Sequence, residues 1–171
     1  MLLRRATPQD HAPVGELTVA AYAEFLTGPA DGYAEHLCDA AGRDREAELW
    51  VAEDDGVLLG TVTVCPEGSA WRELAAPGEG EFRMLAVDPA ARRRGVGQAL
   101  VNLCLERFHT TGASGVVISS LREMTAAHRI YQRAGFHRVP ALDWDPVPGV
   151  HLIAYRTVFE GWRGVTTLGD D

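Results

Sequence analysis

Apolar residues along the 171-residue chain follow two different periods, and each period predicts a type of element. Short apolar or alternating runs bounded by turn residues predict strands over 2–6, 49–53, 57–64, 81–87, 115–119, 136–139 and 150–159. Apolar residues at helical spacing predict helices over about 11–27, 33–41, 98–111 and 121–134. Ser120 and Glu123 match a capping box at the start of the last helix, and Asp54-Asp55-Gly56 predicts a hairpin turn.

The order of these elements predicts an α+β fold with helices layered on a central sheet. We expect one domain over residues 1–160, because this length suits a single core, and a loosely held polar tail over 161–171. The proline-rich segment 140–150 cannot be a central strand.

The amino-acid composition limits the kinds of molecule that the protein is expected to bind. Sixteen basic residues against 24 acidic ones give a net charge of −8, which argues against a general nucleic-acid binder and mildly favours a cationic small molecule. Cys38, Cys65 and Cys104 have neither metal-ligand nor redox spacing, which fits a reducing cytoplasm, and Cys104 falls on the apolar stripe of its helix. Neither a signal peptide nor a membrane span is expected, so the predicted location is cytoplasmic without membrane partners.

The most informative segment is Glu81 to Leu100, which reads EFRMLAVDPAARRRGVGQAL. A predicted strand ends at Asp88-Pro89, three arginines precede two glycines, and a helix follows. The start of a helix offers unpaired backbone N–H groups and the positive end of its dipole, and glycines let an anion approach closely. The segment therefore predicts a phosphate-binding turn.

Two common phosphate-binding motifs do not fit. A nucleotide P-loop needs Lys-Ser or Lys-Thr after its last glycine, but Gln98-Ala99 follows Gly97. A dinucleotide fingerprint needs a small residue three places after the second glycine, where this chain has Leu100.

The pattern Arg92-x-x-Gly95-x-Gly97 resembles the acyl-CoA pyrophosphate loop of the GCN5-related N-acetyltransferase (GNAT) family. The segment HRIYQRAGF, His128 to Phe136, resembles the second helix motif of the family, at the expected distance along the chain. The resemblance implies the GNAT-like fold, a mixed central sheet of about seven strands flanked by four helices, with acetyl-CoA as acyl donor. It also implies a possible homodimer. No metal is predicted, because the six histidines form no paired ligand spacing such as H-E-x-x-H.

The resemblance assigns the cofactor to two sets of residues. Backbone N–H groups from Arg93 to Gly97 would hold the pyrophosphate, with Arg92 at the opening basic position. The central strand would splay at a bulge, so that its free backbone groups contact the pantetheine and the N–H near Leu85 faces the acetyl carbonyl. The cofactor-binding set is Leu85, Ala86, Val87, Arg92, Arg93, Arg94, Gly95, Val96, Gly97, Met124, Ala127 and Tyr131. Relatives often carry glycine at Arg93 and asparagine at Met124.

Two residues are expected to carry the chemistry. Tyr131 takes the position of the family's general acid near the CoA sulfur, although an aromatic residue on an apolar helix stripe also serves packing. Glu81, an even number of residues from Arg83, Leu85 and Val87 and hence expected on their face, takes the position of the general base. His128 and His151 are rival bases.

The acceptor remains open at this stage. Residues 25–33, the loop 66–80 and the Asp143-Trp144-Asp145 turn are expected to line its pocket, where acidic and aromatic groups suit an ammonium. The leading hypothesis is an N-acyltransferase acting on a small primary amine. A protein N-terminus or lysine as acceptor, a non-catalytic acyl-CoA-binding module, and a nucleotide or phosphosugar binder are the alternatives.

Overall fold

The computed structural model describes residues 1–26, 32–162 and 164. In chain order, the α-helices of the described residues are α1 (His11–Tyr22), α2 (Tyr33–Cys38), α3 (Ala40–Glu46), α4 (Val96–Thr110) and α5 (Thr125–Arg133). The strands are β1 (Leu2–Arg5), β2 (Glu48–Asp54), β3 (Val57–Cys65), β4 (Gly80–Val87), β5 (Gly115–Leu121), β6 (His137–Arg138), β7 (Trp144–Val147) and β8 (Val150–Val158).

All eight strands form one mixed sheet in the order β1-β2-β3-β4-β5-β8-β6, and β7 pairs with β8 off this path. The β4–β5 pair is parallel and the other pairs are antiparallel. The proline-rich segment thus supplies only the short edge strand β7, since Pro146 cannot donate to a ladder.

The strands alternate between two cores, as expected for a sheet covered on both faces. On one face α4 and α5 pack through Leu100, Cys104 and Tyr131 against the strands, and Cys104 is fully buried as predicted. On the opposite face Leu17 and Ala21 of α1 contact Ala86 of β4. The sheet is therefore the middle of three layers.

Two sequence predictions of helix boundaries are wrong. The single helix expected over 33–41 is two helices, because Asp39 leaves helical geometry (φ −75°, ψ 64°) and its carboxylate caps α3 by accepting from the Gly42 N–H at 2.8 Å. Ser120 is not a cap: β5 continues to Leu121, and α5 begins later, after Met124. Among the described residues there are five helices, because the predicted second helix is split, and eight strands, because β7 joins the seven that were predicted.

The first predicted helix stop, Gly28-Pro29, lies outside the described residues, as does most of the predicted tail. Trp162, at the start of that tail, packs on His109 with ring centroids 4.5 Å apart. Among the described residues, no helix has both the length and the apolar character needed to cross a bilayer.

Candidate functional site

The sheet opens between β4 and β5. Their ladder is confined to the pairs Gly80↔Val116 and Glu81↔Val117, whereas β5 stays paired with β8 as far as Leu121. Beyond Glu81, β4 has no ladder partner on its β5 side among the residues that the structure describes. The opening leaves backbone of the second half of β4 beside a gap in the sheet.

A bulge in β4 marks the start of this opening. Residues 61–63 of β3 face residues 83–86 of β4, so β4 carries one extra residue. Met84 absorbs it with φ of 51°, an uncommon value for a residue with a side chain. The bulge implied by the family resemblance is present.

The bulge also corrects the predicted face of Glu81. Glu81 and Arg83 both contact the loop 66–80, but Leu85 and Val87 pack into the core under α4, as does Phe82. Strict alternation would place Glu81 with Leu85 and Val87. The extra residue at Met84 reverses the alternation, so Glu81 does not share their face.

The arginine–glycine turn connects β4 to α4. Arg93 has φ of 64°, and Gly95, the N-cap of α4, has φ of 78° with no side chain capping the helix. A Cβ placed on Gly95 would meet no atom within 4 Å. Gly95 is exposed, so the turn leaves the uncapped start of α4 open at this residue, which fits the binding of an anion.

The arginines of the turn are exposed and weakly engaged. Arg92 pairs with Glu24 at 3.1 Å and Arg94 with Asp54 at 3.4 Å. Such surface ion pairs contribute little to stability, so these cations are available to a phosphate.

Gly97 has a second role that the sequence does not reveal. A Cβ at this position would lie 2.8 Å from Cδ1 of Ile130 in α5 and 3.5 Å from Cγ2 of Val87. Gly97 therefore lets the first turn of α4 approach α5 closely.

Tyr131 lies on α5 within the core, only 5% exposed, against the rings of Phe82, Phe136 and Tyr155. Burial raises the pKa of its phenol well above the usual range, with a smaller contribution from Cys104. The group therefore remains protonated at neutral pH, as a hydrogen donor must.

Met124 and Ala127 lie on the same helix terminus as predicted. Met124 is the half-buried N-cap of α5, and Ala127 packs against the core. The rival base His128 is buried, with Nε2 at 3.0 Å from the carbonyl oxygen of Leu121. Burial lowers the pKa of His128.

Glu81 is 1% exposed, and its carboxylate is already fully engaged. It accepts hydrogen bonds from the backbone N–H groups of Glu73, Leu74 and Ala75 at 2.9–3.1 Å. The role of Glu81 as base stays a prediction, and this geometry gives the carboxylate a clear structural function: it fixes the loop.

The same loop brings Glu73 to Arg83. Oε1 of Glu73 lies 2.8 Å from a guanidinium nitrogen of Arg83, and Arg83 also donates to the Trp71 carbonyl at 3.1 Å. Burial raises the pKa of Glu73, the Arg83 charge opposes this rise, and the Glu81 charge adds to it.

Tyr22 and Arg43 complete this side of β4. The Tyr22 hydroxyl donates to the Leu85 carbonyl oxygen at 3.3 Å, and burial raises the pKa of Tyr22 well above its usual value. Arg43 is fully buried and donates to Leu37 O at 2.9 Å and to two threonine hydroxyls; burial lowers its pKa to about 10.

The other predicted acceptor residues have partners of their own. Asp143 forms a two-point ion pair with Arg138 and accepts from the Ala154 N–H. His151 Nδ1 lies 2.6 Å from the exposed Asp145, and Trp144 is half-buried on β7. The ring of Phe25 lies edge-on to that of Tyr22, with the centroids 6.5 Å apart. Residues 27–31 of the predicted pocket lie outside the described residues.

Sequence reasoning missed Tyr22, Arg43 and the Glu73–Arg83 pair. Tyr22 falls in a predicted helix and Arg43 lies just beyond the helix predicted over 33–41, and only their tertiary contacts distinguish them. One arginine in a strand and one glutamate in a loop form no sequence pattern that would predict their ion pair. Within the described parts of the chain, no group of three His, Cys, Asp or Glu side chains could hold a metal ion.

Comparison with known proteins agrees with this architecture. The family model described as "Acetyltransferase (GNAT) domain" matches residues 45–138, more than half of the chain. A mycothiol acetyltransferase from Cellulomonas flavigena is 38% identical over 123 residues, 67% of this chain and 34% of that protein. The chain thus spans about a third of the length of this curated relative.

Solved structures share the whole fold. A GNAT-family acetyltransferase from Staphylococcus aureus superposes with a TM-score of 0.73 at 12% identity, covering 93% of this chain and 99% of that one. A GNAT-family acetyltransferase from Brucella melitensis, in complex with acetyl-CoA, gives 0.59 at 25% identity, covering 90% and 86%. The overall fold of this chain is thus a known one, and the chain belongs to the GNAT acetyltransferase family.

Proposed function

We propose that this protein is an acetyl-CoA-dependent N-acetyltransferase that acts on a primary amine of a small molecule. The observation that carries the proposal is the gap between β4 and β5, which leads to an uncapped helix start at Gly95. The Brucella relative was solved with acetyl-CoA, which supports the same donor here.

The residues around the gap fit an acyl-CoA. The turn from Arg93 to Gly95 is exposed at the uncapped start of α4, where backbone amides up to Gly97 would hold the pyrophosphate, and exposed Arg92 and Arg94 add positive charge. Backbone groups of Leu85, Ala86 and Val87 line the opened half of β4 and would hold the pantetheine arm. Met124 and Ala127 would border the same arm from the start of α5.

The chain would supply two further functions. Bound acetyl-CoA brings the thioester that is the source of the acetyl group. The N–H near Leu85 would donate to the acetyl carbonyl oxygen, and such a backbone donor stabilises the negative charge that develops there. The protonated phenol of Tyr131 would give its proton to the departing sulfur.

Related proteins keep the acceptor class open. The Cellulomonas relative is named a mycothiol acetyltransferase. A small-molecule amine is the acceptor we propose, with protein N-termini and lysines as the second candidate. Three free cysteines suit a reducing compartment, so we also propose a cytoplasmic location. We further propose that the protein forms a homodimer.

Calorimetry and turnover test the proposal in sequence. We expect CoA to bind to the purified protein and ATP to bind at least tenfold more weakly; the reverse order would indicate a nucleotide site. Thiol release from acetyl-CoA is then measured with amino acids, aminosugars, polyamines and peptide N-termini. Binding of CoA without release on any amine would favour the non-catalytic module.

A further inference from the structure

Among the described residues, Glu73 is a carboxylate suitably placed to handle a proton on the acceptor side of β4, which is the face that carries Glu81, Arg83 and the loop 66–80. Glu73 lies on the loop between β3 and β4, and its side chain is 23% exposed, so it keeps contact with water. Glu81 is the nearest other carboxylate on this side, but it is buried and bound to three amides.

Glu73 is held at the opened part of β4. It pairs with Arg83, the residue just before the bulge at Met84. One residue beyond the bulge, the Leu85 carbonyl accepts from Tyr22, whose phenol also interacts electrostatically with Arg83. Through Arg83, Glu73 is thereby held two residues along β4 from the strand segment where the acetyl group is expected.

The loop that carries Glu73 is fixed from two sides. On one side, the Glu81 carboxylate accepts hydrogen bonds from the backbone amides of residues 73–75. Arg72 donates to the carbonyl oxygens of Ala76 and Glu79, at 2.9 Å each. Hydrogen bonds to both the backbone amides and the carbonyl oxygens of this short loop hold its side chains at defined positions, as a catalytic group requires.

We propose that Glu73 is the general base for the amine and that Glu81 is a positioning residue that sets the place of Glu73. This inference rests on the proposed function. Glu73 takes one proton from the ammonium group, which leaves a neutral amine able to attack, and then passes that proton to water.

The charges around Glu73 define its titration. Arg83 favours its ionised form, while burial and the neighbouring Glu81 favour the neutral form, and the pKa is raised overall. The Tyr33 phenol and the Cys65 thiol also face this region, and burial raises the pKa of Cys65 to about 12, so that the thiol carries no charge near neutrality. The base form of Glu73 therefore increases as the pH rises through its raised pKa, and transfer should increase with it.

Three variants separate the roles. Glu73→Gln should lower kcat about 100-fold on a primary amine and remove the acidic limb of the pH profile. Glu81→Gln should lower the unfolding midpoint and kcat together but retain that limb. Glu106→Gln, an exposed carboxylate on α4, is the charge-matched control and should change neither quantity.

Hydroxylamine provides a test that is independent of the natural acceptor. It is neutral at neutral pH and needs no base, so Glu73→Gln should acetylate it at close to the wild-type rate. Carboxyl ¹³C NMR should show Glu73 titrating above the ordinary glutamate range. An equal loss with hydroxylamine, an unshifted Glu73 signal, or loss of the acidic limb in Glu81→Gln alone would overturn the proposal. Retained CoA affinity in every variant distinguishes such a failure from failure of the proposed function.

Discussion

The two sides of the opened strand β4 are built by different means. On the donor side, the turn from Arg93 to Gly97 presents backbone amides, and no side chain caps the helix that follows. On the acceptor side, Glu73, Glu81 and Arg83 form a network of side chains that depends on a folded loop. A site made of backbone amides depends little on side-chain identity and suits a chemical group that is always the same, such as a diphosphate. A network of side chains can instead be altered by substitution to suit a different acceptor.

The strongest test of this contrast is Gly97→Glu. The new carboxylate adds bulk beside Ile130 and negative charge at the anion site, so CoA affinity should fall by about 100-fold, or about 2.7 kcal/mol. Calorimetry measures the affinity and thermal unfolding reports the fold. Gly97→Ala is the control: its Cβ meets the flexible end of Ile130 and makes an ordinary contact with Val87, so affinity should stay within about fivefold. Equal losses in both would assign the effect to helix packing.

Tyr131→Phe tests the one side chain proposed to act on the donor. Loss of the hydroxyl should lower kcat about 100-fold and leave CoA affinity near normal, because the ring still fills the core. Stopped-flow or steady-state thiol release gives the rate. Tyr155→Phe removes a neighbouring phenol and should preserve the rate. An unchanged rate in Tyr131→Phe would exclude Tyr131 as general acid.

Arg93→Gly is expected to have the smallest effect. Arg93 already has a left-handed φ of 64°, which glycine adopts without strain, so the turn should persist and stability should change by less than about 1 kcal/mol. CoA affinity should fall about two- to fivefold, as for one exposed charge, and less at high salt. A loss as large as that of Gly97→Glu would mean that the Arg93 side chain, rather than the backbone, holds the anion.

The turn between β4 and α4 could be predicted from the sequence because its signals are local, whereas its role in binding the donor stays a prediction. Arg92, Gly95 and Gly97 stand within six residues of one another, and the glycine at φ 78° is a position whose backbone requires its residue type. The predicted strands also appear in the sheet, since a two-residue period is read directly from the chain.

The acceptor side could not be predicted in the same way. The bulge at Met84 has no glycine to mark it, and it reversed the expected face of Leu85 and Val87. The partners of Glu81 are amides, which every residue possesses, so no residue type reveals them. Asp39 likewise splits a helix through one carboxylate–amide bond to Gly42 that periodicity does not register.

The close contact between Gly97 and Ile130 has a mechanical consequence. Because Gly97 has no side chain, the first turn of α4 packs directly on the Ile130 side chain of α5, so a shift of one helix is resisted by the other. The proposed diphosphate-binding turn and Tyr131, one residue after Ile130, are thereby joined through this contact. If acetyl-CoA binds as proposed, the seating of its diphosphate would also influence where its sulfur lies relative to the Tyr131 phenol.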